Sequence, residues 1–199
     1  MIIVTGGAGF IGSNFILKFL EASNENLLNL DNLSYAANLS NLKTINTDPR
    51  YSFTKINIQN QSEVEAIVKE VKPRAILNFA AESHVDRSIE GPESFINTNI
   101  LGTYSLLEAA LNYWNDLDES GKKIFRFFHI STDEVFGSLD INDKKSTEES
   151  SYKPNSPYSA SKAASDHLVR AWHHTFKLPT LVSNCTNNYG PHQHEEKLI

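Results

Sequence analysis

A chain of 199 residues that is 40% hydrophobic and 21% charged can build one full core, or one and a part. A formal net charge of -6 argues against a nucleic-acid surface, which needs clustered Lys and Arg, although backbone amides can still hold a phosphorylated small ligand. The single cysteine, Cys185, rules out an internal disulfide and suits a reducing, cytoplasmic setting, and the opening MIIVTGGAGF reads as neither a secretory signal nor a membrane span.

Met1 to Val4 is an apolar burst and predicts a buried strand. Residues 10–20 repeat apolar side chains at helical spacing. NLLNLD is a second strand ending at Asp31, and the Asn-rich residues 32–50 read as a loop. YSFTKINI alternates and predicts a third strand. QSEVEAIVKEV is a helix in which Ser62 and Glu65 have the spacing of a capping box. RAILNFAA is a fourth strand, residues 93–117 a long helix, and KIFRFFHIS a fifth strand. Residues 138–156 form a polar surface loop. A helix follows over 157–176, with Ser156 as N-cap and Pro157 at its first position, and PTLVSNCTN closes the pattern as a sixth strand. Strands alternating with helices predict an α/β fold, a doubly wound parallel sheet with helices on both faces.

Two motifs carry chemistry. TGGAGFIG follows the first strand and opens the first helix, with Gly6, Gly9 and Gly12 three residues apart. Residues without a Cβ there let a pyrophosphate approach the backbone at a positive helix end. Asp31, 19 residues after Gly12, can accept both hydroxyls of a ribose and would repel a 2′-phosphate, which favours NAD over NADP. In YSASK, Tyr158 and Lys162 stand at i and i+4 on one helix face. An ammonium beside a phenol favours phenolate, so the pair suits removal of a hydroxyl proton as a hydride leaves the same carbon.

HISTDEVFGS, at the end of the fifth strand, sets Thr132, Asp133 and Glu134 side by side. Ligands of such sheets bind at the carboxyl ends of the strands. Two neighbouring carboxyls serving one ligand need opposite protonation states, which burial and like-charge repulsion can impose.

TGGAGFIG, YSASK and the alternating pattern resemble the extended short-chain dehydrogenase/reductase superfamily, whose fold is Rossmann-like. AAESHVDRSI, STDEVFG, YSASKAASD and NNYGPHQHEEKLI are more narrowly similar to the family of dTDP-glucose 4,6-dehydratases. The resemblance implies transient oxidation of dTDP-glucose at C4 by NAD, loss of water across C5 and C6, and release of a 4-keto-6-deoxy sugar. It implies that Thr132 bonds the C4 oxygen, Asp133 donates a proton to the C6 oxygen, Glu134 is the base at C5, and Tyr158 and Lys162 complete the catalytic set. It also implies a homodimer formed through the two long helices, with no nucleic-acid or membrane partner and no metal.

By the same resemblance Phe10 and Ile11 lie beside the pyrophosphate, and Asp31, Asn32, Leu33 and Ser34 surround the adenosine ribose. Asn57 and Ile58 lie at the adenine edge, where the family usually has Asp. Phe79, Ala80, Ala81, Glu82 and Ser83 line the nicotinamide side, with Ser83 also touching substrate. Thr98 and Asn188 contact NAD, while Asn187, Lys197 and Leu198 contact substrate. His84, Asp86 and Arg87 form a polar cluster, and HQHEE reads as a loop variant rather than a metal site. Phe136 stands where the family often has Tyr. Residues 1–186 are expected to be the NAD-binding domain and 187–199 the start of a largely missing substrate segment. Other readings stay open: a dehydratase or epimerase for another nucleotide sugar, or a fragment that binds NAD without turnover.

Overall fold

The most apolar segments become the centre of a sheet. Ile2–Thr5 (β1) is buried along its whole length, between Leu27–Asp31 (β2) on one side and Ala75–Asn78 (β4) on the other. A strand covered on both faces reads as an unbroken apolar run rather than an alternating one. Tyr51–Lys55 (β3) pairs outside β2, and Arg126–Thr132 (β5) and Thr180–Cys185 (β6) extend the far side. Every pairing is parallel, and the order is β3-β2-β1-β4-β5-β6. The computed structural model describes residues 1–195.

The helices cover both faces. Ile2 and Val4 point into a cluster with Ile16 and Leu20 of Phe10–Ala22 (α1), while Ile3, between them, points into the opposite cluster. That second cluster takes Val64 and Val68 from Gln61–Val71 (α2), and further side chains from two later helices. The alternation of neighbouring side chains across β1 lets one strand serve two cores. The chain runs outward from β1 to β3, then returns to β4 and runs the other way, so a crevice opens between the carboxyl ends of β1 and β4.

The structure revises several expected boundaries. Residues 32–50 contain a 3₁₀ turn, Leu39–Ile45, whose Leu42 is buried. The cap of α2 is not Ser62: Asn60 holds the cap position without a side-chain cap bond, and Ser62 donates to Asn60 Oδ1 at 3.0 Å. Two short helices, Val85–Glu90 (α3) and Pro92–Phe95 (α4), precede the long one. That long helix is not α-helical throughout. Ile96–Gly102 has π-type bonding and only then becomes Thr103–Asn115 (α5). A π stretch has the same apolar pattern as an α-helix, so periodicity does not reveal it, and such stretches gather at functional sites.

Glu119–Ile124 is a short helix (α6) capped by Asp118, so β5 starts at Arg126 rather than 123. β3 and β6 are shorter than their apolar runs, ending at Lys55 and Cys185. Pro157–Phe176 (α7) starts where expected. Ser156 and Ser159 cap each other reciprocally, with Pro157 in the first turn. Among the described residues no helix is long and apolar enough to cross a membrane.

Candidate active site

β1 ends at Thr5 and runs into Gly6, whose φ of +70° few L side chains adopt. A Cβ there would sit 2.5 Å from Ala80 N, so the turn packs directly on the chain leaving β4. Gly12 backs onto the Gly6 carbonyl in the same way. Gly9 differs: an added Cβ would meet only the Gly6 oxygen, at 3.4 Å, and otherwise face the cleft. Gly9 is also the N-cap of α1, with no side-chain cap bond and no acidic residue in the first turn. The leading N–H groups of α1 and its positive end are therefore open to an anion.

Asp31 closes β2 beside this turn. Its Oδ2 accepts from Ala8 N at 2.9 Å and its Oδ1 from Leu33 N at 2.8 Å. Each carboxylate oxygen has a further lone-pair direction, so the same group can organise the glycine turn and accept from a ribose. Leu33 takes a left-handed backbone, φ +56°, and shapes the turn without lining the cleft.

One cleft of about 330 Å³ runs across the carboxyl ends of the strands. Its walls include Gly6, Gly9, Phe10, Ile11 and Gly12 of the turn, with Asp31, Asn32 and Ser34 after β2. Asn57, Ile58 and Thr98 lie on its β3 side, and Phe79 to Ser83 follow β4. Thr132, Glu134, Tyr158, Lys162, Asn187 and Asn188 complete the expected set on the wall. Asn57 Oδ1 accepts from Gln59 N at 3.0 Å, and Gln59 reaches Thr98 at 3.4 Å. Burial pushes the Glu82 carboxyl above its usual range, against the opposing pull of Arg87. Lys197 and Leu198 lie outside the described residues.

The acid pair is split by its local fold. Thr132 caps a single 3₁₀ turn, Asp133–Phe136, by accepting from Glu134 N at 3.2 Å. Glu134 then lines the cleft, whereas Asp133 is not on its wall and accepts from the Thr132 hydroxyl at a long 3.5 Å. Burial and the neighbouring Glu134 charge push the Tyr158 phenol well above its usual value, and the adjacent Thr132 hydroxyl acts the other way.

The expected lowering of Tyr158 by Lys162 is absent from these influences. The Lys162 ammonium turns inward, donating to Ile130 O at 2.8 Å and lying 3.3 Å from His129 Nε2. Burial brings its pKa down to about 8, while the Asp166 charge works to hold it up.

The sequence reading did not identify several other parts of the site. Tyr35, Ala36 and Ala37 line the cleft from the polar loop, and Gln193 and His194 reach it from the far end of the chain. Arg87 stacks over the Tyr35 ring at 3.8 Å, and the His194 ring meets Tyr35 edge-on at 5.8 Å. Asn99, in the π stretch, accepts from Glu82 N and donates to Glu82 O, both at 2.9 Å, and donates to Ser161 of α7 at 2.8 Å. A wide π turn fixes its angle toward both neighbours. Cys185 also reaches the wall, from the end of β6.

Known proteins are similar to this chain in sequence and fold. The chain is 54% identical to the dTDP-glucose 4,6-dehydratase of Haemophilus influenzae, across 100% of this chain and 59% of that one. The structure of the Streptomyces venezuelae dTDP-glucose 4,6-dehydratase with NAD bound superposes with a TM-score of 0.90 at 43% identity, over 100% of this chain and 59% of that one. The UDP-glucose 4-epimerase of Thermus thermophilus, in complex with NAD, gives 0.83 at 29% identity, over 97% of this chain and 57% of that one. The chain thus spans less than two thirds of the length of these relatives. The sequence model of GDP-mannose 4,6 dehydratase matches residues 3–199, and with the fold and the cleft agreeing, the chain belongs to that family.

Proposed function

We propose that the chain carries the NAD-binding and catalytic half of a dTDP-glucose 4,6-dehydratase. The observation that carries this reading is the turn after β5, which sets Thr132 and Glu134 on the same cleft as Tyr158, Lys162 and an uncapped glycine turn. Residues 1–186 serve as the cofactor domain, and the chain from 187 onward begins the part that holds the nucleotide sugar. Relatives named for this activity, with structures containing NAD, support the assignment.

The residues present fit the dinucleotide. Gly9 leaves room for a diphosphate over the start of α1, Asp31 offers a carboxylate to the adenosine ribose, and Phe79 to Ser83 form the inner wall. NAD, when bound, would take up the hydride from C4 of the sugar and give it back at C6 once water has left. Tyr158 takes the C4 hydroxyl proton, and Thr132 donates to the same oxygen while its own oxygen is held by Glu134 N. Lys162, its ammonium held on the inner side by Ile130 O, completes the set on the cleft wall. Glu134, already on the cleft wall, is placed to remove the C5 proton once C4 is a ketone. Asp133 gives its proton to the departing C6 oxygen, which requires it to turn toward the cleft when the sugar is held.

Incubating the full-length protein with dTDP-glucose and NAD should give a product lighter than substrate by one water, read by mass spectrometry. A product of unchanged mass would favour an epimerase, and no product with intact, NAD-loaded protein would count against both.

The same reading includes a homodimer. Ile96 and Leu101 are each 50% exposed on the π stretch, and Phe176 45% exposed on α7. Tyr104 of α5 meets Trp172 of α7 edge-on at 5.9 Å, and Trp172 meets Phe176 within α7 at 5.5 Å. Exposed apolar side chains on neighbouring helices suit an association site. Sedimentation of the full-length protein should show a dimer that Leu101→Glu converts to monomer; a monomeric parent would refute the assignment.

A further inference from the structure

Behind the cleft lies a buried polar network that the proposed reaction does not use. Asp166 sits one turn after Lys162 on α7 and is 3% exposed. Its Oδ2 accepts three bonds from three separate parts of the chain. Ser131 of β5 donates at 2.8 Å, Tyr152 of the loop at 3.0 Å, and Asn184 of β6 at 3.3 Å. Burial pushes the Asp166 carboxyl above its usual range, while the Lys162 charge and the three donors converging on one oxygen pull the other way and favour the carboxylate form. Its Oδ1 is buried with no hydrogen-bond partner and lies 3.5 Å from His129 Nε2.

His129 is 1% exposed, and burial and the nearby Lys162 charge keep it neutral by holding its pKa well below the usual value. The hydrogen-bond network assigns its tautomer. Asn78 accepts from Thr5 through Oδ1, which leaves its amide nitrogen facing His129 Nδ1 at 3.2 Å as donor. The ring proton therefore sits on Nε2, which faces Ser165 Oγ at 3.2 Å, Lys162 Nζ at 3.3 Å and Asp166 Oδ1 at 3.5 Å. Ser165 Oγ donates its own proton to Lys162 O, so it can accept from His129.

A buried carboxylate with one unbonded oxygen is costly unless a nearby cation compensates it. The cation available here is Lys162, which is itself fully enclosed. We propose that Asp166, with neutral His129 wedged between, is a positioning residue that keeps Lys162 an ammonium donating to the Ile130 carbonyl at the back of the cleft. The proposal deepens the dehydratase reading and rests on it for the place of Lys162 in the catalytic set. Cys185 on β6 is the other group that acts on Lys162. Tyr152 in the loop faces Asp166, and Tyr158 on α7 is flanked by Asp133 and Glu134 of the 3₁₀ turn.

The sign follows from the geometry. Burial lowers Lys162 to about 8, and the Asp166 charge raises it, so deleting that charge lowers it further. Lys162 then loses its proton at lower pH. The test uses full-length Asp166→Asn with NAD bound. The alkaline limb of its kcat profile should move to lower pH by about one unit or more. Nitrogen-15 NMR of the Lys162 side chain should show the ammonium losing its proton at lower pH than in the parent.

Asp166→Glu, which keeps the charge, should restore the parental limb at least in part. Unmoved profile and titration in Asp166→Asn, with only stability lost, would reduce Asp166 to a structural tie and overturn the proposal. So would carboxyl-carbon NMR of the unmutated protein showing Asp166 protonated at neutral pH, a measurement that holds even if the variant does not fold. The NMR titration of Lys162 needs no turnover, so it decides this question separately if dTDP-glucose proves not to be the substrate.

Discussion

The double variant Asp133→Asn, Glu134→Gln should bind NAD and oxidise dTDP-glucose at C4 yet fail to lose water. Replacing a positioned acid or base removes about 10²–10⁴ of rate, and here both groups of one elimination are removed together. In the proposed mechanism the oxidation step uses other residues, Tyr158, Thr132 and Lys162, which line the cleft and are left unchanged. It should even become easier at neutral pH, because the Glu134 charge is one of the influences that raise the Tyr158 phenol. A carboxylate disfavours a second negative charge beside it, so the amide lowers the pH at which the phenol ionises. A nicotinamide absorbance change on adding substrate, without the lighter product by mass, is the expected pair of results. Normal water loss in this variant would remove the acid pair from the mechanism, and loss of both signals would mean that the turn supports oxidation as well.

Legibility in the sequence followed the range of the physics involved. Apolar bursts flanked by turn residues marked β1, β2 and β4, because full burial leaves a local compositional trace. The glycine turn and the Tyr158–Lys162 pair were legible because their geometry is fixed within a few residues. Ser156 and Pro157 marked the start of α7 for the same reason. What escaped depends on contacts between distant segments. Gly102 has no place for a Cβ because Ile58 lies 2.7 Å from where it would be, and Asn99 reaches both Glu82 and Ser161 across the chain. Neither constraint changes the apolar period, so residues 93–117 read as one plain helix. Tyr35 meets Arg87 and His194 from three remote stretches, two of them polar and without periodicity. Asp166 looks in sequence like any acid on a helix; only the fold shows it buried behind Lys162. The inward aim of Lys162 likewise depends on the β5 carbonyl at Ile130, which spacing on one helix cannot report.

Gly6→Ala and Gly9→Ala should separate what the glycine turn does for the fold from what it does for the ligand. At Gly6 the left-handed backbone costs an L residue about 1–2 kcal/mol. The new methyl would also lie 2.5–2.7 Å from Ala80 N, Ala80 Cα and Phe79 C, all backbone atoms that no side-chain rotation can move aside. Overpacking of that kind costs about 1–3 kcal/mol, so Gly6→Ala should lose about 2–5 kcal/mol in urea unfolding, a large part of an ordinary domain's stability. Gly9 has a φ of -77°, which alanine adopts freely, and its new methyl would touch only one oxygen at 3.4 Å. Stability should stay within about 1 kcal/mol of the parent. Yet that methyl projects over the start of α1, where the diphosphate needs to approach the N–H groups. Calorimetry on folded, full-length Gly9→Ala should therefore show NAD affinity reduced by about tenfold or more, equivalent to about 1.4 kcal/mol. Undiminished NAD binding in this variant would mean that the helix end is not the diphosphate cradle, and the dinucleotide reading of the cleft would have to be rebuilt around Asp31 alone.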